Sequence, residues 1–121
     1  TVEDPAVLAK ALERFGERVI VSIDIKGGSV LSDFLPPSPS DAYRALGDMS
    51  AKKVIFLDIS AVGTLKADFS FIKDLNKTGE ILVGGGIMGK DLTEMERIKV
   101  DGVLVGTALH KGLLEVESWK S

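Results

Sequence analysis

Two carboxylates and two glycine-lined turns are the residues of this chain best suited to chemistry. Glu80-Ile81-Leu82-Val83-Gly84-Gly85-Gly86-Ile87-Met88-Gly89-Lys90-Asp91 joins a short apolar run to three glycines and then to a polar, helix-starting segment. An apolar run of that length reads as a strand buried on both faces. Glycines at its end allow positive φ and let an anion approach the backbone with no Cβ in the way. A helix beginning directly afterwards aims free N–H groups and the positive end of its dipole at the same place. The stretch is therefore expected to form a phosphate or oxyanion cradle at the carboxyl end of a strand. Asp24 and Asp58 each close an apolar, β-branched run, and Gly106-Thr107 closes another. Carboxylates beside such cradles suit acid–base chemistry on a phosphorylated molecule.

Two familiar fingerprints overlie the glycines, and neither is completed. Gly84, Gly86 and Gly89 fit the dinucleotide pattern G-x-G-x-x-G, but the next strand-like run, Gly102-Val103-Leu104-Val105, ends in Gly106-Thr107 with no carboxylate for a ribose. Gly84 to Lys90 fits the opening of a P-loop, yet Asp91 stands where the magnesium-binding Ser or Thr belongs.

The elements that must hold these groups can be read from capping and periodicity. Asp4-Pro5 opens a helix with Val7, Leu8, Ala11, Leu12 and Phe15 on one face and Gly16 as its stop. Arg18 to Asp24 reads as the first strand, and Ile25 to Leu31 as a short excursion with some extended structure. Pro36, Pro37 and Pro39 stiffen a loop, after which Ser40 or Asp41 caps a helix carrying Ala42, Ala45, Leu46 and Met49. Lys53 to Asp58 is the second strand, and Asp68 caps a helix bearing Phe69, Ile72 and Leu75. The glycine stretch supplies the third strand and a helix with Leu92, Met95 and Ile98 inward. Asp101 to Gly106 is the fourth strand, and Ala108 to Glu117 is helical. The order is a helix followed by four βα units, which predicts an α/β fold with a parallel sheet. Four strands fit either a doubly wound sheet or half of an eight-stranded barrel, and both place ligands at strand carboxyl ends.

Composition narrows the function. The 121 residues are expected to form a single domain, 1–121, and 45% hydrophobic with 27% charged residues is a globular balance. A net charge of −3, with no basic run, argues against nucleic acid as a partner. The absence of cysteine removes disulfides, thiolate nucleophiles and cysteine-based zinc sites. No apolar run approaches the length of a membrane helix, so no membrane partner is expected and the cytoplasm is the default location. His110 is the lone histidine, read as a surface residue. With no second histidine or clustered carboxylates, no metal site is expected. Ser22 and Ser29 lack a G-x-S-x-G setting, so serine hydrolase chemistry is not indicated. Trp119 is expected to pack, and Lys90 and Asp91 to belong to a helix start.

Val19 to Gly28, then Gly84-Gly85-Gly86-Ile87, then Gly102 to Leu109 give the chain a family likeness. It resembles the second half of the histidine-biosynthesis (β/α)₈ barrels, closest to the HisA-type isomerase and less close to the HisF-type cyclase. The resemblance covers nearly the whole chain and implies the carboxyl-terminal half, four βα units, of a barrel that typically needs ~250 residues. It also implies a partner: a missing amino-terminal half, or a second copy to complete the barrel. A free half would expose two parallel strand edges. The implied activity is an Amadori-type aldose–ketose isomerisation of a bis-phosphorylated aminoimidazole carboxamide ribotide, with no metal or organic cofactor. Asp24 matches the catalytic Asp of the fifth barrel strand, while the first-strand Asp has no counterpart here. Gly85 and Gly86, with Gly106 and Thr107, match the phosphate site of the second half. Lys26 is placed to pair with Asp24 or to reach a phosphate, its alternative being a solvated loop residue.

The chain departs from the family at two rim positions. Leu57 stands where a substrate-facing Thr is expected, and Val62 where a loop Asp is expected. Two other readings follow: a diverged HisA/HisF-related enzyme acting on another phosphorylated metabolite, or a non-catalytic phosphate-binding or assembly subunit. With Leu57 inward, strand alternation turns Asp58 away and gives it a structural role.

Overall fold

The computed structural model describes residues 4–59, 69–85 and 92–104. Helix α1, Pro5–Phe15, begins where Asp4 accepts a hydrogen bond from the Ala6 N–H at 2.9 Å, with Pro5 in the first turn. It ends at Gly16, whose positive φ of 53° ends the helical course. Strand β1 covers Val21–Lys26 and β2 covers Ser29–Leu31. Helix α2 is Pro39–Asp48, β3 is Lys53–Asp58 and β4 is Glu80–Gly84. A 3₁₀ turn, Ser70–Asp74, precedes β4; α3, Leu92–Arg97, and β5, Gly102–Leu104, follow it.

The sheet order is β2-β1-β3-β4-β5, with β1, β3, β4 and β5 parallel and β2 antiparallel at one edge. Each parallel strand lies beside its predecessor, so the order contains no reversal of the kind a doubly wound sheet requires. Matched registers place Val21, Val54 and Ile81 in one row and Ile23, Phe56, Val83 and Val103 in the next, all on one face. That face meets Leu8 of α1, Ala42 and Leu46 of α2, Phe69 and Ile72, and Met95 and Ile98, in a single buried cluster. Phe56 is fully buried between Tyr43, at 6.3 Å, and the edge of Phe71, at 5.0 Å. Burying side chains of this size contributes about 1.5–3 kcal/mol each.

Several sequence expectations are corrected here. The first strand starts at Val21 and runs beyond Asp24 to Lys26, because β2 supplies it with a partner that the sequence reading treated as a loose excursion. Gly27 and Gly28, with φ of 60° and 83°, form the two-residue turn whose backbone matches hairpin twist. β2 thus shields the end of β1, and the Val30 N–H donates to the Pro37 carbonyl at 2.8 Å, so the proline loop covers β2 in turn. Ser38, not Ser40 or Asp41, caps α2, since Pro39 occupies the first helical position where no N–H is needed. Tyr43 joins the core face of α2. Val7, Phe15 and Leu92 are exposed rather than buried. Phe69 and Ile72 are carried on a 3₁₀ turn rather than an α-helix. Asp68, Lys90, Asp91, His110, Trp119 and the final helix lie outside the described residues.

The amino-terminal ends of the strands are tied by polar contacts. Asp101 accepts from the Ile81 N–H at 2.7 Å through Oδ2, while its own N–H donates to the Ile81 carbonyl at 2.7 Å. Lys77 Nζ lies 2.7 Å from the same Oδ2. Tyr43 Oη accepts from the Thr78 N–H at 3.0 Å, and the Glu80 N–H donates to the Lys52 carbonyl at 2.7 Å. At the other end, Gly85 has φ of 94°, and a Cβ there would overlap the carbonyl oxygen of Asp58.

Partial burial pushes the Asp101 carboxyl up, but the Lys77 hydrogen bond, the Ile81 N–H and the Lys77 charge together hold it below its ordinary value. A depressed carboxylate stabilises the fold above its unfolded pKa and loses that effect as pH falls through the folded one. Asp101→Asn is expected to cost about 1 kcal/mol at neutral pH, discounted for the partly exposed pair. Thermal melts should show the difference from wild type shrinking as the pH is lowered below the carboxylate range. Gly85→Ala is expected to cost about 2–4 kcal/mol by urea unfolding, because positive φ and backbone overlap act together.

Candidate functional site at the carboxyl ends of the strands

The face of the sheet opposite the core carries a row of residues fixed by register. Leu31 pairs with Asp24, Asp24 with Leu57, Leu57 with Gly84, and Gly84 with Leu104. One step toward the amino ends, Ser22, Ile55, Leu82 and Gly102 form the next row. Ile55 is buried yet stands apart from the main core cluster, as its position on this second face requires. Asp24 and Gly84 lie two strands apart, roughly 10 Å at the ordinary strand spacing.

Asp24 is half-buried, two residues from the end of β1, and Ser22 Oγ donates to its Oδ1 at 3.5 Å. Its two neighbours across the sheet, Leu31 and Leu57, are both apolar. Lys26 follows on the same face of β1, exposed at the lip of the hairpin. Asp58 pairs with Ile25 and so takes the opposite face from Asp24, the place strand alternation assigns it.

The glycines do more than leave room for a ligand. A Cβ on Gly84 would stand 2.9 Å from Leu57 Cδ2 and 3.0 Å from Leu104 Cβ, so the notch is occupied by Leu57 and Leu104. Gly85 is required by the approach of the Asp58 backbone. Anion binding at such a turn uses N–H groups rather than Cα hydrogens, so these packing duties are compatible with the cradle expected from the sequence. Gly86, Gly106, Thr107 and Val62 lie outside the described residues. Among the candidate site residues, the structure therefore aligns Asp24, Lys26 and Gly85 at one end of the sheet.

Sequence reasoning weighed Ser22 only as a hydrolase nucleophile and did not single out Leu104. The Ser-x-Asp spacing within a strand was the available signal for Ser22, because alternate residues share a face. Among the described residues, no group of three or more His, Cys, Asp or Glu is arranged to hold a metal. Nor is any described helix long and apolar enough to cross a membrane. An open groove lined by Tyr43, Arg44, Asp48, Asp74 and Thr78 contains none of the candidate residues.

Residues 1–115 match the model of a family described as histidine biosynthesis protein. A 1-(5-phosphoribosyl)-5-((5-phosphoribosylamino)methylideneamino)imidazole-4-carboxamide isomerase from Thermus thermophilus is 33% identical, the match covering 99% of this chain and 56% of the relative. The isomerase of the same description from Alkaliphilus metalliredigens is 31% identical over 93% of this chain and 51% of its own length. An uncharacterised protein of Methanocaldococcus jannaschii is 37% identical over 95% of this chain and 52% of its own length. The chain spans about half the length of the curated relatives it matches. With the family model matched over 115 of its 121 residues, the chain belongs to the histidine biosynthesis protein family.

Proposed function

We propose that the chain is the carboxyl-terminal half of a HisA-type (β/α)₈ barrel and supports an aldose–ketose isomerisation of a phosphoribosyl imidazole carboxamide. The observation that carries this reading is the row Asp24–Leu57–Gly84 at the carboxyl ends of parallel strands. The strand order without reversal and the single core cluster support half of a closed barrel over a doubly wound sheet. The isomerase relatives support the reaction class. The other half of the barrel, on a longer chain or a second copy, is then the partner that closes the sheet.

A phosphate on the N–H groups at Gly85 and Gly86, and at Gly106 and Thr107, would place a five-carbon skeleton across the roughly 10 Å to Asp24. Isomerisation of an aminoaldose needs a proton delivered to the ring oxygen as the C1–O bond breaks and the C1–N double bond forms. A base then removes the C2 proton to give the enaminol, and protonation of C1 with loss of the C2 hydroxyl proton leaves the C2 ketone. Two acid–base groups share these transfers, of which Asp24 is one, and the other belongs to the missing half. Lys26 adds a positive charge at the Asp24 end of the site. The steps call for no metal or organic cofactor.

A second reading is favoured by Leu57. Its side chain fills the notch at Gly84 and flanks Asp24 with hydrocarbon where a hydroxyl is expected. Under that reading the same cradle and the same carboxylate act on another phosphorylated metabolite.

Turnover of the bis-phosphorylated ribotide by the protein in its native length tests the first reading directly. Isomerisation supports it; binding by calorimetry without turnover transfers support to the second reading; no binding sinks the first. Asp24→Asn is expected to lower kcat at least about 100-fold, as loss of a general acid–base group does, with the Kd for the ribotide within threefold. A variant that keeps wild-type kcat would remove Asp24 from the mechanism.

A further inference from the structure

We infer that Ser22 is a positioning residue for Asp24, an inference that rests on the reading of Asp24 as an acid–base group. Ser22 lies two residues before Asp24 on β1, on the same face, and its hydroxyl reaches Asp24 Oδ1 at 3.5 Å. Both residues are half-buried. β2 begins its pairing only at Asp24, so Ser22 lies below the hairpin, with Ile55 as its neighbour in the parallel ladder. Asp24 has Leu31 on one side and Leu57 on the other. Apolar flanks lower the local dielectric and strengthen a hydroxyl–carboxylate interaction made between them.

The chemistry follows from the geometry. A carboxylate rotates broadly about its terminal torsion, and a proton-transfer group gains by having that freedom removed. Tying Oδ1 to a hydroxyl two residues earlier on the same strand narrows the range of carboxylate orientations. The hydroxyl serves as an orienting contact, and the chemistry stays with the carboxylate. Lys26, on the same face of β1, adds a charge near Asp24; Leu31 and Leu57, directly opposite, add none, and Asp58 takes the other face.

The test compares Ser22→Ala and Ser22→Thr with wild type, using the bis-phosphorylated ribotide as substrate. Ser22→Ala is expected to lower kcat by about two- to tenfold, the loss of one modest hydrogen bond, with KM within twofold. Ser22→Thr, which keeps a hydroxyl, is expected to restore kcat. A merely structural serine would not lower kcat at constant KM, nor would a hydroxyl at 22 rescue it. If wild type isomerises the ribotide and Ser22→Ala matches it in kcat, the inference is overturned while the isomerase reading stands. If wild type does not isomerise it, the isomerase reading fails. Ser22 is then judged by crystal structures of wild type and Ser22→Ala: a changed Asp24 carboxylate orientation supports the tie, and an unchanged one overturns it.

Discussion

Register between the parallel strands is the constraint on which the rest of this structure depends. Val21, Val54 and Ile81 lie side by side, and so do Ile23, Phe56 and Val83. Those residues bury one face of the sheet under the helices. Once they are committed to that face, strand alternation leaves Ser22, Asp24, Ile55, Leu57, Leu82 and Gly84 on the other. A one-residue slip of β1 would exchange its two sets and place Asp24 in the core. Core burial and site alignment are thus one structural decision, and the hydrophobic effect enforces both.

The two ends of the sheet divide the work. At the amino-terminal ends, Asp101, Lys77, Tyr43 and Thr78 satisfy backbone groups and lock the entry of β4 and β5. At the carboxyl-terminal ends the chain turns sharply, with Gly85 pressed on the Asp58 backbone and Gly27-Gly28 reversing β1 into β2. This polarity accords with the barrel rule that chemistry sits at one rim and stability at the other. The hairpin also covers part of the β1 edge, which a lone parallel strand would leave exposed.

Leu57 is where family membership and local chemistry pull in different directions. The chain belongs to the histidine biosynthesis protein family, and two relatives carrying the isomerase description match nearly all of it. Yet the rim between Asp24 and Gly84 is filled by a leucine that packs into the glycine's missing Cβ. Such packing is self-consistent: Gly84 accommodates Leu57 and Leu104, so restoring a polar group at 57 would leave a gap as well as add a hydroxyl. Leu57 thus sets both the shape and the polarity of the rim between Asp24 and Gly84.

Sequence alone determined the α/β class, the parallel sense of the strands, the cap at Asp4 and the exclusion of cysteine chemistry. These depend on local periodicity and capping, which neighbouring residues encode. It also located Asp24 and the glycine turn as the groups to watch, and gave the face of Asp58 through strand alternation. Tertiary structure decided what rests on distant partners. β2 became a strand because Asp24 to Lys26 and the Pro37 carbonyl were there to pair with it. Val7, Phe15 and Leu92 stayed exposed although their spacing matched a buried face, since burial needs a neighbouring element as well as a pattern. Only the register revealed that Leu57 lies between Asp24 and Gly84, and only the fold brought Gly85 against Asp58, 27 positions away in sequence. The residue types are local information; which of them share a row depends on hydrogen bonds between strands that the chain joins only after folding.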